Sequence, residues 1–135
     1  MGHSAHLLTL LATGMLIAGC TAGTPDALST RTKVSTPQSV MVHIAKRMQA
    51  CWFKKKLPTT APYRLASEVN SYSGKPRVLL VPKNKPGGLP KLVVQAERTG
   101  GIVNVSTFGP LLETKDGLSL EKSVRRWARG SSACA

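Results

Sequence analysis

The chain has 135 residues, a length that suits one globular domain and excludes two of ordinary size. Its hydrophobic fraction of 41% is ordinary for a folded protein, whereas the aromatic fraction is only 4%. Lysine and arginine number 19 against 6 aspartate and glutamate, which gives a formal net charge of +13. A charge of this size favours anionic partners, and the available polyanion depends on the compartment.

The N-terminal segment carries a short apolar run over 7–18. A run of this length cannot span a hydrocarbon core of ~30 Å as a helix, but it is typical of the apolar centre of a secretory signal. The residues before it include neither lysine nor arginine, so the segment departs from the usual positively charged start. The run ends in the sequence Leu16-Ile17-Ala18-Gly19-Cys20.

This sequence resembles the lipobox of bacterial lipoprotein precursors, in which an aliphatic residue and two small residues precede a cysteine. The resemblance implies that residues 1–19 are a signal peptide, cut off before Cys20, and that the Cys20 thiol takes a diacylglyceryl group. Thr21 stands where an aspartate would imply retention in the inner membrane. The implied location is the inner leaflet of the outer membrane, facing the periplasm, with the lipid as anchor. The alternative is a buried apolar helix with an incidental cysteine.

The next segment, 20–36, has small and polar residues without apolar periodicity, which predicts a flexible tether. A single periplasmic domain then occupies 37–135. Its first helix is predicted over 37–54, because Thr36 can cap it, Pro37 suits its first position and Pro58 stops it. The apolar side chains at helical spacing are Met41, Ile44, Met48, Cys51 and Trp52.

The centre of the chain predicts strands over 63–72, 77–81, 91–97 and 102–108. A basic loop, 83–90, joins the second strand to the third, and glycines at 100 and 101 make a tight hairpin turn. A second helix is predicted over 119–129, and its apolar face is formed by Leu120, Val124, Trp127 and Ala128. The fold class is therefore α+β: a helix, a three- to four-stranded antiparallel sheet and a helix, with both helices on one face of the sheet.

Two cysteines remain for the folded domain, Cys51 in the first helix and Cys134 near the C-terminus. Export would place them in an oxidising compartment, where they have one possible intramolecular pairing, and we expect a disulfide. A bridge across so long a loop stabilises by up to ~4–5 kcal/mol in the chain-entropy model. The alternatives are free thiols or a metal or redox site, but there is no CxxC spacing and no histidine at ligand spacing.

Motifs for catalysis are lacking, since the sequence has no HExxH, GxSxG, P-loop or EF-hand pattern. His43 is the one histidine after Cys20 and lies on a basic stretch, which is typical of a solvated residue. Glu68 and Glu97 would form a catalytic carboxylate pair only if folding placed them across a cleft. We therefore expect no enzyme activity, no cofactor and no metal ion.

Three groups of basic residues are candidates for anion binding. They are Lys54, Lys55 and Lys56 after the first helix, Lys83, Lys85 and Lys91 around the loop, and Arg125, Arg126 and Arg129 with Lys122 on the second helix. Arg125 and Arg129 lie one helical turn apart, a spacing that can bracket a phosphate. Each cation near a membrane surface contributes about 1 kcal/mol toward anionic lipid. The alternative is that these residues are solvated faces and helix caps.

These features predict a non-enzymatic, lipid-anchored envelope protein with a basic periplasmic domain. The domain would contact phospholipid, lipopolysaccharide or cell-wall polymer, and we expect no nucleic acid partner. The alternative is an accessory subunit of an outer-membrane assembly or secretion complex that acts through protein–protein contacts. Only an analogy of architecture supports that alternative at the level of sequence.

Overall fold

The structure is a computed structural model that describes residues 28–30, 36–70 and 75–134. The predicted signal peptide over 1–19, the lipidation site Cys20 and most of the predicted tether lie outside the described residues. Within them the chain forms a helix, an antiparallel sheet and a second helix, which confirms the predicted α+β class.

The first helix, α1, spans Pro37–Met48 and continues as a π-helical segment over Gln49–Lys54. Its start is fixed by a capping box, in which Thr36 Oγ1 accepts from the Ser39 N–H at 3.0 Å and Ser39 Oγ accepts from the Thr36 N–H at 2.9 Å. The bounds agree with the predicted helix over 37–54. The π geometry of the last turns is the part that the sequence pattern does not show, because it depends on packing rather than on spacing.

Four strands follow at the predicted places: β2 (Tyr63–Glu68), β3 (Arg77–Pro82), β4 (Leu92–Thr99) and β5 (Ile102–Phe108). Each pairs antiparallel with the next along the chain. β2 is shorter than the sequence predicts, because its pairing with β3 stops where Glu68 faces Arg77.

A fifth strand, β1 (Leu28–Thr30), lies inside the predicted tether over 20–36. It pairs antiparallel with β5, so that the order across the sheet is β1-β5-β4-β3-β2. The tether therefore carries three residues of strand that the sequence does not predict. Three residues are too few for a readable alternation, and the pairing depends on the main chain of β5 rather than on a side-chain pattern.

The second helix, α2, spans Gly117–Ala128 and begins earlier than the predicted helix over 119–129. The early start depends on Gly117, because a Cβ atom there would lie 1.9 Å from the carbonyl oxygen of Leu112. A short 3-10 helix, Pro110–Glu113, leads from β5 into this close contact.

The main core lies between the two helices and one face of the sheet. Trp52 and Trp127, one from each helix, contact each other there with ring centroids 5.2 Å apart. The fully buried side chains of this core include Met41, Ile44, Met48, Val78, Leu80, Leu92, Val94, Val103, Leu120 and Val124. A smaller apolar cluster on the other face of the sheet consists of Leu79, Val81 and Val93 with Ala66 beside them.

The C-terminal tail folds back against both helices. A disulfide joins Cys51 to Cys134, which are 83 positions apart, and this is the pairing expected from the sequence. Trp127 Nε1 donates to the carbonyl oxygen of Ala133 at 2.7 Å. The tail is thus held by a covalent bond to one helix and a hydrogen bond from the other.

The two ends of the sheet have different surroundings. At one end β2 and β4 begin, β3 and β5 end, and α2 begins shortly after β5. Thr59, just before β2, donates to Asp116, just before α2, at this same end, which we call the basic end. The opposite end holds the β4–β5 turn and the start of α1, where Gln38 Nε2 donates to Asn70 Oδ1 at 2.6 Å, and we call it the hairpin end.

Candidate anion-binding surface

Exposed lysines gather at the basic end. They come from the end of the π-helical segment, from the β3–β4 loop and from the turn before α2: Lys54, Lys55, Lys56, Lys83, Lys85, Lys91 and Lys115. All but Lys115 belong to the groups predicted from the sequence. The acidic residues Glu113 and Asp116 flank Lys115 in the chain, and Asp116 already accepts a hydrogen bond from Thr59. Positive charge therefore prevails at this end.

The β3–β4 loop holds its lysines in a fixed place. The Lys83 backbone N–H donates to the carbonyl oxygen of Pro62 at 3.0 Å, and its Nζ donates to that of Ala61 at 2.7 Å. Arg64 Nη2 donates to the carbonyl oxygen of Pro86 at 3.1 Å. Because these bonds join the loop to the start of β2, the loop is ordered without a ligand.

A cavity of about 430 Å³ opens along one side of α2, from Leu118 in its first turn to Arg126 in its last. Its cationic lining residues are Lys115, Lys122 and Arg126, and the rest of the lining is formed by Leu118, Ser119, Ser123 and Cys134. Lys122 and Arg126 lie one helical turn apart, so their charges face the same space. We call it the cationic cavity. No sequence signal identifies Lys115 as a member, because its position beside Lys122 depends on the turn before α2.

Arg126 brings an unsatisfied donor to the cationic cavity. Its Nη2 donates to the carbonyl oxygen of Cys134 at 3.3 Å, whereas its Nε is buried and has no hydrogen-bond partner among the described residues. A buried donor without a partner costs about 1–3 kcal/mol. An anion in the cavity would be attracted by the charges of Lys115, Lys122 and Arg126.

The disulfide holds the tail residue Cys134, whose carbonyl oxygen accepts from Arg126. Arg47 of α1 lies against the bridge, with its Nη2 3.4 Å from Cys51 Sγ and 3.7 Å from Cys134 Sγ. Both arginines therefore contact the bridged tail. Because the tail is covalently tied to α1, the carbonyl group that Arg126 contacts cannot move away freely.

The other predicted arginines of α2 lie elsewhere. Arg125 forms an ion pair with Glu121, with Nη2 2.8 Å from Oε1, and its Nε donates to the same oxygen. Arg129 is exposed at the end of the helix. Lys122 and Arg126, rather than Arg125 and Arg129, are the pair of cations one turn apart that line a cavity. Spacing alone cannot distinguish the two pairs, because both have the same period.

A second cavity, also of about 430 Å³, lies beside α1 and β2. Ala45, Ala50 and Leu65 give it an apolar lining, and Lys46, Gln49 and Lys54 complete it. This groove suits an apolar group better than an anion, since its lysines border apolar surface and no buried donor without a partner lines it. The cationic cavity is therefore the better candidate for an anion site.

The residues considered for catalysis have structural partners. His43 Nε2 lies 2.9 Å from the carbonyl oxygen of Ser131 and so helps to hold the tail. Glu68 pairs with Arg77, and Glu97 pairs with Lys75 at 2.8 Å. Both glutamates are thus engaged on the sheet surface rather than facing each other across a cleft.

The described residues lack two structural features. No group of three or more histidine, cysteine, aspartate or glutamate side chains could hold a metal ion. No helix in that part of the chain has the length and apolar character to cross a bilayer.

No family model matches the chain, and no curated protein or solved structure is significantly similar to it. The chain's own charges and cavities are therefore the features that indicate its function.

Proposed function

We propose that the protein is a non-enzymatic lipoprotein of the cell envelope, anchored by lipid on Cys20, whose basic domain binds an anionic envelope component. Phospholipid, lipopolysaccharide and acidic cell-wall polymers all present the required negative groups. The observation that carries the proposal is the cationic cavity, in which Lys115, Lys122 and Arg126 line one space.

Charge and geometry both support this proposal. The net charge of +13 attracts any anionic surface, but it does not by itself specify a site. The cavity adds donors at fixed positions, because α2 and the bridged tail hold them before any ligand arrives. Charge-assisted hydrogen bonds from such donors are roughly twice as strong as neutral ones.

The experiment follows the Arg126 Nε–H resonance in isotope-labelled lipidated protein held in neutral detergent micelles. Doping the micelles with phosphatidylglycerol should move this resonance, and doping with phosphatidylcholine should leave it in place. The shift should diminish at high salt, because salt screens exposed charges beyond about 8–10 Å.

Two variants with the same loss of charge give the control. Lys122→Gln removes a cation from the cavity and should weaken the response to phosphatidylglycerol about fivefold, which corresponds to about 1 kcal/mol. Lys75→Gln removes a cation at the hairpin end and should leave the response unchanged. Equal responses to the two lipids, or equal effects of the two variants, would contradict the proposal.

A further inference from the structure

We infer that the basic end is the surface with which the domain lies on the bilayer that holds its anchor, and that apolar side chains at this end enter the lipid interface. The inference rests on the proposed function in one respect, the lipid on Cys20. It goes further by committing to a lipid bilayer as the occupant and by orienting the domain on it.

The direction of β1 shows that the chain enters the sheet from the basic end. β5 runs toward that end, and β1 runs opposite to it, with Leu28 facing Val105 and Thr30 facing Val103. The chain therefore enters β1 from the basic end and leaves it toward the hairpin end. Cys20 precedes Leu28 by eight positions, which span at most about 29 Å at ~3.6 Å per residue. The segment that leads from Cys20 therefore joins the sheet at the end at which the lysines gather.

The exposed large hydrophobic side chains of the described residues lie at this same end. They are Leu89 in the β3–β4 loop, 84% exposed, Phe108 at the end of β5, 48% exposed, and Leu118 at the start of α2, 61% exposed. Single exposed apolar residues need no explanation, but their collection at one end of the molecule does. Isolated apolar tips among lysines are typical of proteins that lie in a membrane interface.

The surrounding charges favour an anionic bilayer over an apolar protein partner. Lys83, Lys85 and Lys91 flank Leu89 in the chain, and Lys115 precedes Leu118. Lysine can keep its ammonium group at the head-group level while its aliphatic part lies along apolar surface. The hairpin end offers nothing comparable among the described residues, since its charges include the ion pairs of Lys75 with Glu97 and of Arg77 with Glu68.

The test measures which end approaches the acyl chains. Tryptophan is introduced at the basic end by Leu89→Trp or, as an independent second variant, by Leu118→Trp, and at the hairpin end by Thr99→Trp. Each position is exposed, so the core is not altered, and the native Trp52 and Trp127 are 3% and 0% exposed and give a constant background. The full-length lipidated variants are reconstituted into vesicles of phosphatidylethanolamine and phosphatidylglycerol with brominated acyl chains, which quench nearby tryptophan.

We expect the bromolipids to quench the added fluorescence of Leu89→Trp and Leu118→Trp at least twofold more than that of Thr99→Trp. Equal quenching at the two ends, or stronger quenching of Thr99→Trp, would overturn the inference. Strong quenching of Leu89→Trp that disappears when other envelope proteins are added in excess would also overturn it, because a protein would then be the preferred occupant.

The same preparation separates this inference from the proposed function. If the basic-end variants are quenched equally in anionic vesicles and in phosphatidylcholine vesicles, the domain faces the membrane but its preference for anions is refuted. If the Arg126 resonance responds to phosphatidylglycerol while quenching is equal at the two ends, the anion site stands and the orientation is refuted.

Discussion

The two ends of the sheet use charge in opposite ways. At the hairpin end, Lys75 and Arg77 have glutamate partners on the sheet surface. At the basic end, none of the ion pairs found in the described part of the chain involves a lysine. The same residue types are therefore neutralised locally at one end and left for solvent or a ligand at the other.

This difference shows that the net charge alone is a poor guide to the site. Like charges held close together repel each other and destabilise the compact state. A protein that places acidic partners at one end could have placed them at the other. The strands that separate the ends are about 20–25 Å long at ~3.3 Å per residue, which exceeds the screening length of about 8–10 Å, so the two ends act as separate electrostatic units.

The largest expected effect concerns the proposed lipid anchor on Cys20. If its thiol is the acceptor of the lipid, as proposed, Cys20→Ser should abolish incorporation of labelled palmitate completely. Cys51→Ser should leave the labelling intact and remove only the bridge. Labelling that survives in Cys20→Ser would show that the anchor, and with it the orientation by the basic end, is wrong.

Removal of the bridge tests whether stability and binding belong to different parts of the molecule. The double variant Cys51→Ala with Cys134→Ala should lower the free energy of unfolding by up to about 4–5 kcal/mol, because the bridge closes a loop of 83 positions. Urea unfolding with and without the bridge measures this loss. Binding through the lysines of the β3–β4 loop should change little, because they lie on other elements. The response of the Arg126 resonance to phosphatidylglycerol should weaken, because the bridged tail lines the cationic cavity.

Matched charge removal at the two ends tests the comparison directly. In the unlipidated chain from Thr21 onward, a triple change of Lys83, Lys85 and Lys91 to Gln should weaken co-sedimentation with phosphatidylglycerol vesicles by about 3 kcal/mol, or on the order of a hundredfold. The same change at Lys75, Arg77 and Arg98 removes equal charge from the hairpin end. Equal losses for the two triple variants would mean that the ends are not distinct.

The smallest effect is expected for the ion pairs of the hairpin end. Glu68→Gln should change the free energy of unfolding by less than about 1 kcal/mol, because the side chains of Glu68 and Arg77 are 44% and 47% exposed. Urea unfolding of this variant beside Lys75→Gln measures both pairs. A loss of several kcal/mol in either would mean that these pairs stabilise the sheet rather than only neutralising charge.

Local signals made much of the fold predictable. The capping Thr36 and the apolar period that follows it predict α1, and the β-branched runs bounded by glycine and proline predict β3, β4 and β5. The pairing of Cys51 with Cys134 follows from there being two cysteines in the domain. Each of these inferences uses residues that are neighbours in the sequence or have a single possible partner.

The candidate site was predictable in composition but not in arrangement. The sequence identifies the lysines as basic groups. Their collection at one end depends on the antiparallel pairing, which places the starts of β2 and β4 beside the ends of β3 and β5. β1 has no pattern of its own, so the sequence does not reveal the direction from which the tether enters the sheet. The cationic cavity depends on the tail, which returns to α2 and accepts a hydrogen bond from Arg126 at Cys134. This contact, like the lack of a partner for Arg126 Nε, arises from packing between distant parts of the chain.

The short β1 strand has a mechanical consequence. Tension on the chain before Leu28 would pull β1 along its own axis and load its hydrogen bonds to β5 in shear, and only three residue pairs oppose it. Once they yield, the point of attachment moves from Leu28 to Thr36, at the start of α1 and at the opposite end of the molecule. The number of positions from Cys20 to the point of attachment then doubles from eight to sixteen. The disulfide between Cys51 and Cys134 lies outside the part that separates. The pairing of β1 with β5 is therefore the part of the sheet expected to separate first when the chain is pulled from its N-terminal side.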